Sequence, residues 1–196
     1  MPMTQQDDDI KNFFLSVSGL PALDLDSFIQ AGKPSRLHKG DFFVQEGQVC
    51  NKFAFVHSGV FSFILLSDGL EHIKDFSGSG KLLTAYSSFI TQRPSKIYLR
   101  AEQDAELTVW NYQTLMQRVS VESAWKDFML KMANYMFLRK EEREISLLTE
   151  TAEQRYLRLL REFPDLSEQV PQYLIASYLG IRPQSLSRIR RSLAKK

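Results

Sequence analysis

The chain of 196 residues has one cysteine, Cys50, and three histidines, His38, His57 and His72. A single cysteine excludes an intrachain disulfide, an all-cysteine zinc site and an iron–sulfur cluster held by the cysteines of one chain. The histidines stand far apart and lack the spacing of metal ligands, so no metal is expected. No nucleophile, base and orienting group fall into a catalytic pattern, which predicts a protein that is not an enzyme and carries no cofactor. No apolar stretch approaches the roughly 20 residues that cross a bilayer. The start, MPMTQQDDDI, is acidic and polar where a signal peptide is basic and then apolar. These absences predict a soluble, cytoplasmic protein with no membrane partner, in a compartment where disulfides are not needed.

Net charge is only +2, and 43% hydrophobic and 24% charged residues are ordinary globular values. What is missing locally is more informative. From Arg182 to Lys196 there is no acid, against six bases: Arg182, Arg188, Arg190, Arg191, Lys195 and Lys196. The first 30 residues reverse the balance, with Asp7, Asp8, Asp9, Asp24 and Asp26 against Lys11 alone. An acid-free basic segment attracts nucleic-acid phosphates when it lies on one face of a helix.

Along the chain the hydrophobic period changes twice. Residues 8–32 place Phe13, Phe14, Val17, Leu20, Leu25, Phe28 and Ile29 at helical spacing and predict short helices. From about Ser35, glycines at 40, 47, 59, 69, 78 and 80 punctuate the β-rich runs DFFVQE, KFAFVHS, VFSFILL and HIKDF. Strands of this length with close turns predict a compact antiparallel roll, with Asp68-Gly69 as a hairpin turn. After an undefined stretch at 81–95, KIYLRAEQDAELTVWN supplies two further strands. From Tyr112 to Leu148 the period is helical. Trp125, Met129, Met132 and Met136 form one apolar row, and Phe128, Met132, Tyr135 and Arg139 an adjacent one with 4-3-4 spacing. Two rows call for two partners, the roll and the same helix of a second subunit, so a homodimer is expected. The segment FLRKEERE from Phe137 is highly charged and predicted to run in solvent. Thr149-Glu150-Thr151 breaks the helix before AEQRYLRLLREF.

The C-terminal 27 residues, VPQYLIASYLGIRPQSLSRIRRSLAKK, read as a helix, a glycine corner and a second helix. Ile175, Leu179, Ile181, Leu186 and Ile189 are the apolar sites, Ala176 is small where the helices approach, and Gly180 supplies a corner requiring positive φ. Pro183 suits a first helical turn. Leu186, Ile189 and Leu193 face inward, whereas Gln184, Arg188 and Arg191 follow i, i+4, i+7 on another face. This is a helix-turn-helix, whose second helix enters the DNA major groove.

Two segments carry a resemblance that covers nearly the whole chain. KGDFFVQEGQVCNKFAFVHSGVFSFIL is similar to the first strands of the sensor roll of the Crp-Fnr family of bacterial transcription regulators, and IASYLGIRPQSLSRIRRSL is similar to that family's DNA-reading helices. The resemblance implies an α+β chain: a cyclic-nucleotide-binding-like β-roll of jelly-roll type over residues 1–111, a long dimerisation helix over 112–148, and a winged-helix-like helix-turn-helix domain over 149–196. It also implies a homodimer on double-stranded DNA and brings in RNA polymerase as a candidate partner. Arg188 matches the family's base-reading arginine, whose fork can bond guanine O6 and N7 together. Gln184 can pair with adenine, although the family often has glutamate there. Arg182, Ser185, Ser187 and Arg191 are expected at phosphates or sugars. The effector site departs from the family. Where nucleotide-binding members carry Gly-Glu, this chain has Thr84-Ala85; where they carry Arg-Ser, it has Pro94-Ser95. The ribose acceptor is gone and proline brings no charge, although Arg93 lies one position away. Thr84, Ala85, Tyr86, Arg93 and Ser95 are therefore the candidate effector pocket, for an unidentified small molecule that is not expected to be cyclic AMP. His72 and the Met1-Pro2 start do not make a haem site, and Cys50 is expected to be a packed apolar residue. The rival reading is a small-molecule sensor whose helix-turn-helix docks a protein instead of DNA.

Overall fold

A computed structural model describes residues 4–18 and 25–194; Met1, Pro2, Leu20, Asp24, Lys195 and Lys196 lie outside them. Helices α1 (Gln5–Ser18) and α2 (Leu25–Gln30) precede eight strands: β1 (Lys33–Leu37), β2 (Phe42–Val44), β3 (Lys52–Ser58), β4 (Phe61–Ser67), β5 (Leu70–Ser77), β6 (Leu82–Leu83), β7 (Tyr98–Ala101) and β8 (Ala105–Asn111). The short helix α3 (Tyr86–Thr91) sits between β6 and β7. The strands form two antiparallel sheets in the orders β1-β8-β3-β6 and β2-β7-β4-β5. This is the expected jelly-roll arrangement. At the hairpin between β4 and β5, Asp68 (φ 52°) and Gly69 (φ 74°) both take positive φ, the backbone that a two-residue turn between twisted strands requires. Gly59 is needed for space as well as for φ, since a Cβ there would lie 2.6 Å from that of Ala105.

Strand β1 was not legible in the sequence. Its KPSRL carries a proline at the second position, which argues against a central strand, and the structure places it at a sheet edge where the missing N–H is tolerated. The undefined 81–95 stretch holds β6 and α3.

The roll's core lies between the sheets and continues over the outer face of β3 and β8. There Phe28 stacks on Trp110, centroids 5.4 Å apart and 3° from parallel, and on Phe53 at 6.2 Å. The Trp110 indole N–H donates to the Phe28 carbonyl at 2.8 Å. Phe14, Trp125 and Phe128 close the cluster. Each such ring contributes about 1.5–3 kcal/mol by leaving water, which ties the N-terminal helices to the sheet.

Residues 112–148 form two helices where one was expected. Helix α4 (Tyr112–Val121) ends at Glu122, whose extended backbone (φ −124°, ψ 126°) starts α5 (Ser123–Thr149). Members of both predicted apolar rows pack within the chain, Trp125 and Met129 of one as well as Phe128 and Tyr135 of the other. Phe128 and Met132 are buried against the roll of the same chain, and Tyr135 and Met136 pack beside them. The large apolar side chains that α5 leaves exposed are Leu130, Phe137, Leu138, Ile145, Leu147 and Leu148.

Helices α6 (Ala152–Glu162), α7 (Leu166–Gln169), α8 (Gln172–Leu179) and α9 (Pro183–Leu193) complete the chain. Thr151 opens α6 with a capping box, its hydroxyl accepting from the Gln154 N–H while the Gln154 side chain accepts from the Thr151 N–H. Among the described residues no helix is long and apolar enough to cross a membrane.

Candidate nucleic-acid interface

The corner between α8 and α9 is built by Gly180. Its φ of +68° turns the chain so that the Ile181 N–H donates to the Ala176 carbonyl and the Gly180 N–H to that of Ser177, at 3.0 and 3.1 Å. This paired closure satisfies carbonyls that the helix end would otherwise leave open. Arg182 is extended, as a residue before proline prefers, and Pro183 occupies the first helical turn. Ile175, Ala176, Leu179 and Leu186 are at most 1% exposed, and Ile181, Ile189 and Leu193 pack beside them. The predicted apolar set therefore all lies in one core.

With that side buried, α9 turns the other side outward. Arg182, Gln184, Ser187, Arg188 and Arg191 are exposed, and Ser185 is half-buried. Arg188 donates to the Ser185 hydroxyl at 3.3 Å, a weak contact that leaves the guanidinium at the surface. Five of the six predicted DNA-contact residues thus lie on α9, and Arg182 immediately precedes it.

Thr84 is buried, its hydroxyl donating to the Lys52 carbonyl at 3.2 Å beside the Cys50 sulfur. The Ser95 hydroxyl donates to the Ile97 carbonyl at 2.8 Å, and its backbone bonds the 47–48 turn. Ala85 is buried, Tyr86 is half-buried and Arg93 is exposed. Burial pushes the Tyr86 phenol above its ordinary range. Between the sheets, Val44, Cys50, Phe61, Leu83, Phe89 and Leu99 pack into one cluster. Cys50 is 1% exposed, as expected of a packed residue. Two open clefts of about 490 and 550 Å³ flank His57 on the outer face of the other sheet, and neither is lined by Thr84, Tyr86, Arg93 or Ser95. Among the described residues no three His, Cys, Asp or Glu side chains gather as metal ligands.

The charged segment after Phe137 departs from expectation. Most of it is exposed, but Arg139 and Arg143, one turn apart, fold onto the roll and the C-terminal helices. Arg139 donates to Glu162 at 2.5 Å and lies 3.8 Å from Asp75, while Lys81 donates to Glu162 at 2.8 Å. Burial pushes the Glu162 carboxyl up, but the Lys81 hydrogen bond and the Arg139 charge outweigh it and hold the group below its ordinary range. Arg143 stacks 3.6 Å above the Tyr178 ring and donates to the Tyr178 carbonyl at 2.7 Å. Their i, i+4 spacing was the available signal, and the surrounding acids masked it.

Residues 34–120 match the cyclic nucleotide-binding domain family. No curated protein matches the chain. Among solved structures, FixK2 from Bradyrhizobium japonicum is 18% identical with a TM-score of 0.71, covering 84% of this chain and 85% of its own. The c-di-GMP responsive global regulator CLP of Xanthomonas campestris is 18% identical with a TM-score of 0.63, covering 87% and 90%. The catabolite activator protein of Thermus thermophilus is 20% identical with a TM-score of 0.57, covering 93% and 87%. The chain shares the overall fold of these structures, with a cyclic nucleotide-binding-type domain over residues 34–120. At these identities the likeness speaks for architecture, and what the domain binds has to be read from its own residues.

Proposed function

We propose that the protein is a DNA-binding transcription regulator of the Crp-Fnr type that engages operator DNA as a homodimer. The observation that carries this reading is the exposed, acid-free face of α9, which presents Gln184, Ser187, Arg188 and Arg191 on a helix whose opposite side is fully spent on packing. Arg188 reads guanine through O6 and N7, and Gln184 pairs with adenine N6 and N7. Arg182, Ser185, Ser187 and Arg191 hold phosphates and sugars, fixing the helix in the groove. The neighbouring structures described as a regulator and an activator support a regulatory role over an enzymatic one, with RNA polymerase as the partner at promoters.

The exposed stripe of α5 supports the dimer. Leu130 and Phe137 lie seven residues apart, as do Leu138 and Ile145, and Leu148 follows Ile145 by three, a heptad-like recurrence with which two helices can pair. A dimer then offers two recognition helices to two half-sites. Cyclic AMP is not part of this reading: Thr84-Ala85 brings no carboxylate for a ribose and Pro94 no charge for a phosphate, and the hydroxyls of Thr84 and Ser95 donate to the chain's own carbonyls.

A gel mobility shift on mixed genomic duplexes tests the reading. Binding is expected at low salt and to weaken steeply as salt rises, because each neutralised phosphate releases counterions. Absence of binding at low salt would overturn it and favour a protein-docking role for the motif.

A further inference from the structure

Helix α1 leaves a groove on the outer face of the β1-β8-β3-β6 sheet. Ile10 and Phe14 are fully buried and hold the helix down on one side. The flank that carries Gln6, Asp9, Phe13 and Ser16, at spacings of three and four, overhangs the sheet instead. Beneath it lie the two clefts of about 490 and 550 Å³, one on each side of His57. From Gln6 to Ser16 the helix rises about 15 Å, which is the length of the wall that α1 gives the groove.

The floor is aromatic. Phe13 meets Phe55 edge-on at 5.7 Å between centroids, and Phe55 meets the His57 ring at 5.3 Å. His57 is held by Thr108, whose hydroxyl lies 2.8 Å from its Nε2. Thr108 is itself packed through its methyl against Gly32, where a Cβ would come within 2.4 Å.

The rim is negative. Asp9 and Asp7 of α1 and Glu106 of β8 all act on His57 as negative charges. Burial outweighs them and holds the imidazole below its ordinary range, so at neutral pH the ring is uncharged and does not repel a cation. Lys11 is paired with Asp26, and Arg36 makes an exposed pair with Glu106, of the kind that contributes little. Asp9 accepts a long 3.3 Å bond from Gln5 and has no ion-pair partner among the described residues. Asn12 and Ser79 bring to the first cleft an amide and a hydroxyl without partners among the described residues.

We propose that this groove binds an elongated organic cation of the alkyl polyamine class, with one ammonium held by Asp9, another at Glu106, and the methylene chain laid over Phe13 and His57. Charge complementarity selects this occupant. An anion would meet three carboxylates, and a wholly apolar molecule would cover Asp9 without pairing it. A metal ion would find no three ligands gathered among the described residues. The site belongs to α1 and the roll and stands whatever α9 binds.

The chain has three histidines, and His57 is the one that lines the groove, so imidazole resonances report on the site. Spermidine is titrated into the intact protein without DNA, at about 150 mM salt to screen diffuse attraction. The His57 ring signals are expected to shift and saturate at one molecule per chain, while those of His38 and His72 stay in place. Asp9→Asn with Glu106→Gln is expected to weaken binding about tenfold or more, as two charge-assisted contacts are lost. The double variant Asp8→Asn with Glu141→Gln removes the same charge from exposed positions outside the groove and should bind as the unaltered chain does. Equal loss in both doubles would reduce the binding to general attraction by surface acids and overturn the proposal. Unmoved His57 signals at millimolar spermidine would overturn it as well.

Discussion

The two regions singled out by their polar residues, the α9 face and the 84–95 segment, use those residues in opposite ways. On α9 the polar groups stand on the side that packing leaves free, and the one internal contact among them, Arg188 to Ser185, is long. In the 84–95 segment the hydroxyls of Thr84, Ser88 and Ser95 each bond a carbonyl of the chain itself. A polar group already satisfied within the fold gains little from a ligand, whereas an exposed and unspent one has its bonding capacity available. Residue type alone does not separate the two regions; the partners of each hydroxyl do.

The comparison breaks most visibly if the core beneath the reading face is removed. Leu186 is fully buried where α9 meets α8. Leu186→Ala is expected to cost about 2–5 kcal/mol, as large-to-small changes in closed cores do. Thermal unfolding followed by circular dichroism would register it as a fall in Tm, with DNA binding lost alongside. A destabilisation under about 1 kcal/mol would mean that the α9 face is not held by this core. Arg188→Ala separates reading from folding. The side chain is exposed, so Tm should stay within a degree or two. Discrimination between operator and mixed duplex should drop by about 1–3 kcal/mol, the worth of one bidentate base contact, while salt-dependent residual binding remains. Equal loss on every duplex would assign Arg188 to phosphate instead.

The helix-turn-helix was legible because every local preference agrees there: the apolar period, the glycine at positive φ and the proline at the first turn all specify one corner. The hairpin at Asp68-Gly69 was legible for the same reason. Strand β1 was hidden by Pro34, whose penalty vanishes at a sheet edge. The exposed α5 side chains stand outside both apolar rows read from the sequence, whose Phe128 and Met132 are buried by α1 and the roll. Sequence spacing identifies faces of a helix but does not say which tertiary neighbour takes which face. Arg139 and Arg143 were hidden for a related reason: in a segment dominated by charge, the two that fold back differ from the rest only in what lies opposite them, Glu162 and Tyr178, more than 20 residues away along the chain.

The smaller predictions sharpen the other half of the comparison. Thr84→Val and Ser95→Ala each remove a hydroxyl that bonds a carbonyl of the chain, so each should lower stability by about 0.5–1.5 kcal/mol in the absence of any added ligand. A residue kept for an effector would show the reverse, with unchanged stability alone and a loss seen only when ligand is present.

The last test carries an expected effect of zero. A ligand at 100 times its Kd stabilises the folded state by about 2.7 kcal/mol, a shift of several degrees in Tm for a chain of this size. Cyclic AMP at millimolar concentration should leave Tm unmoved. Thr84-Ala85 offers no carboxylate to a ribose, and Pro94 offers neither charge nor N–H to a phosphate. A shift of more than a degree that disappears in Arg93→Ala would show that the exposed arginine swings in to take the phosphate, and would move the 84–95 segment from the spent class to the available one.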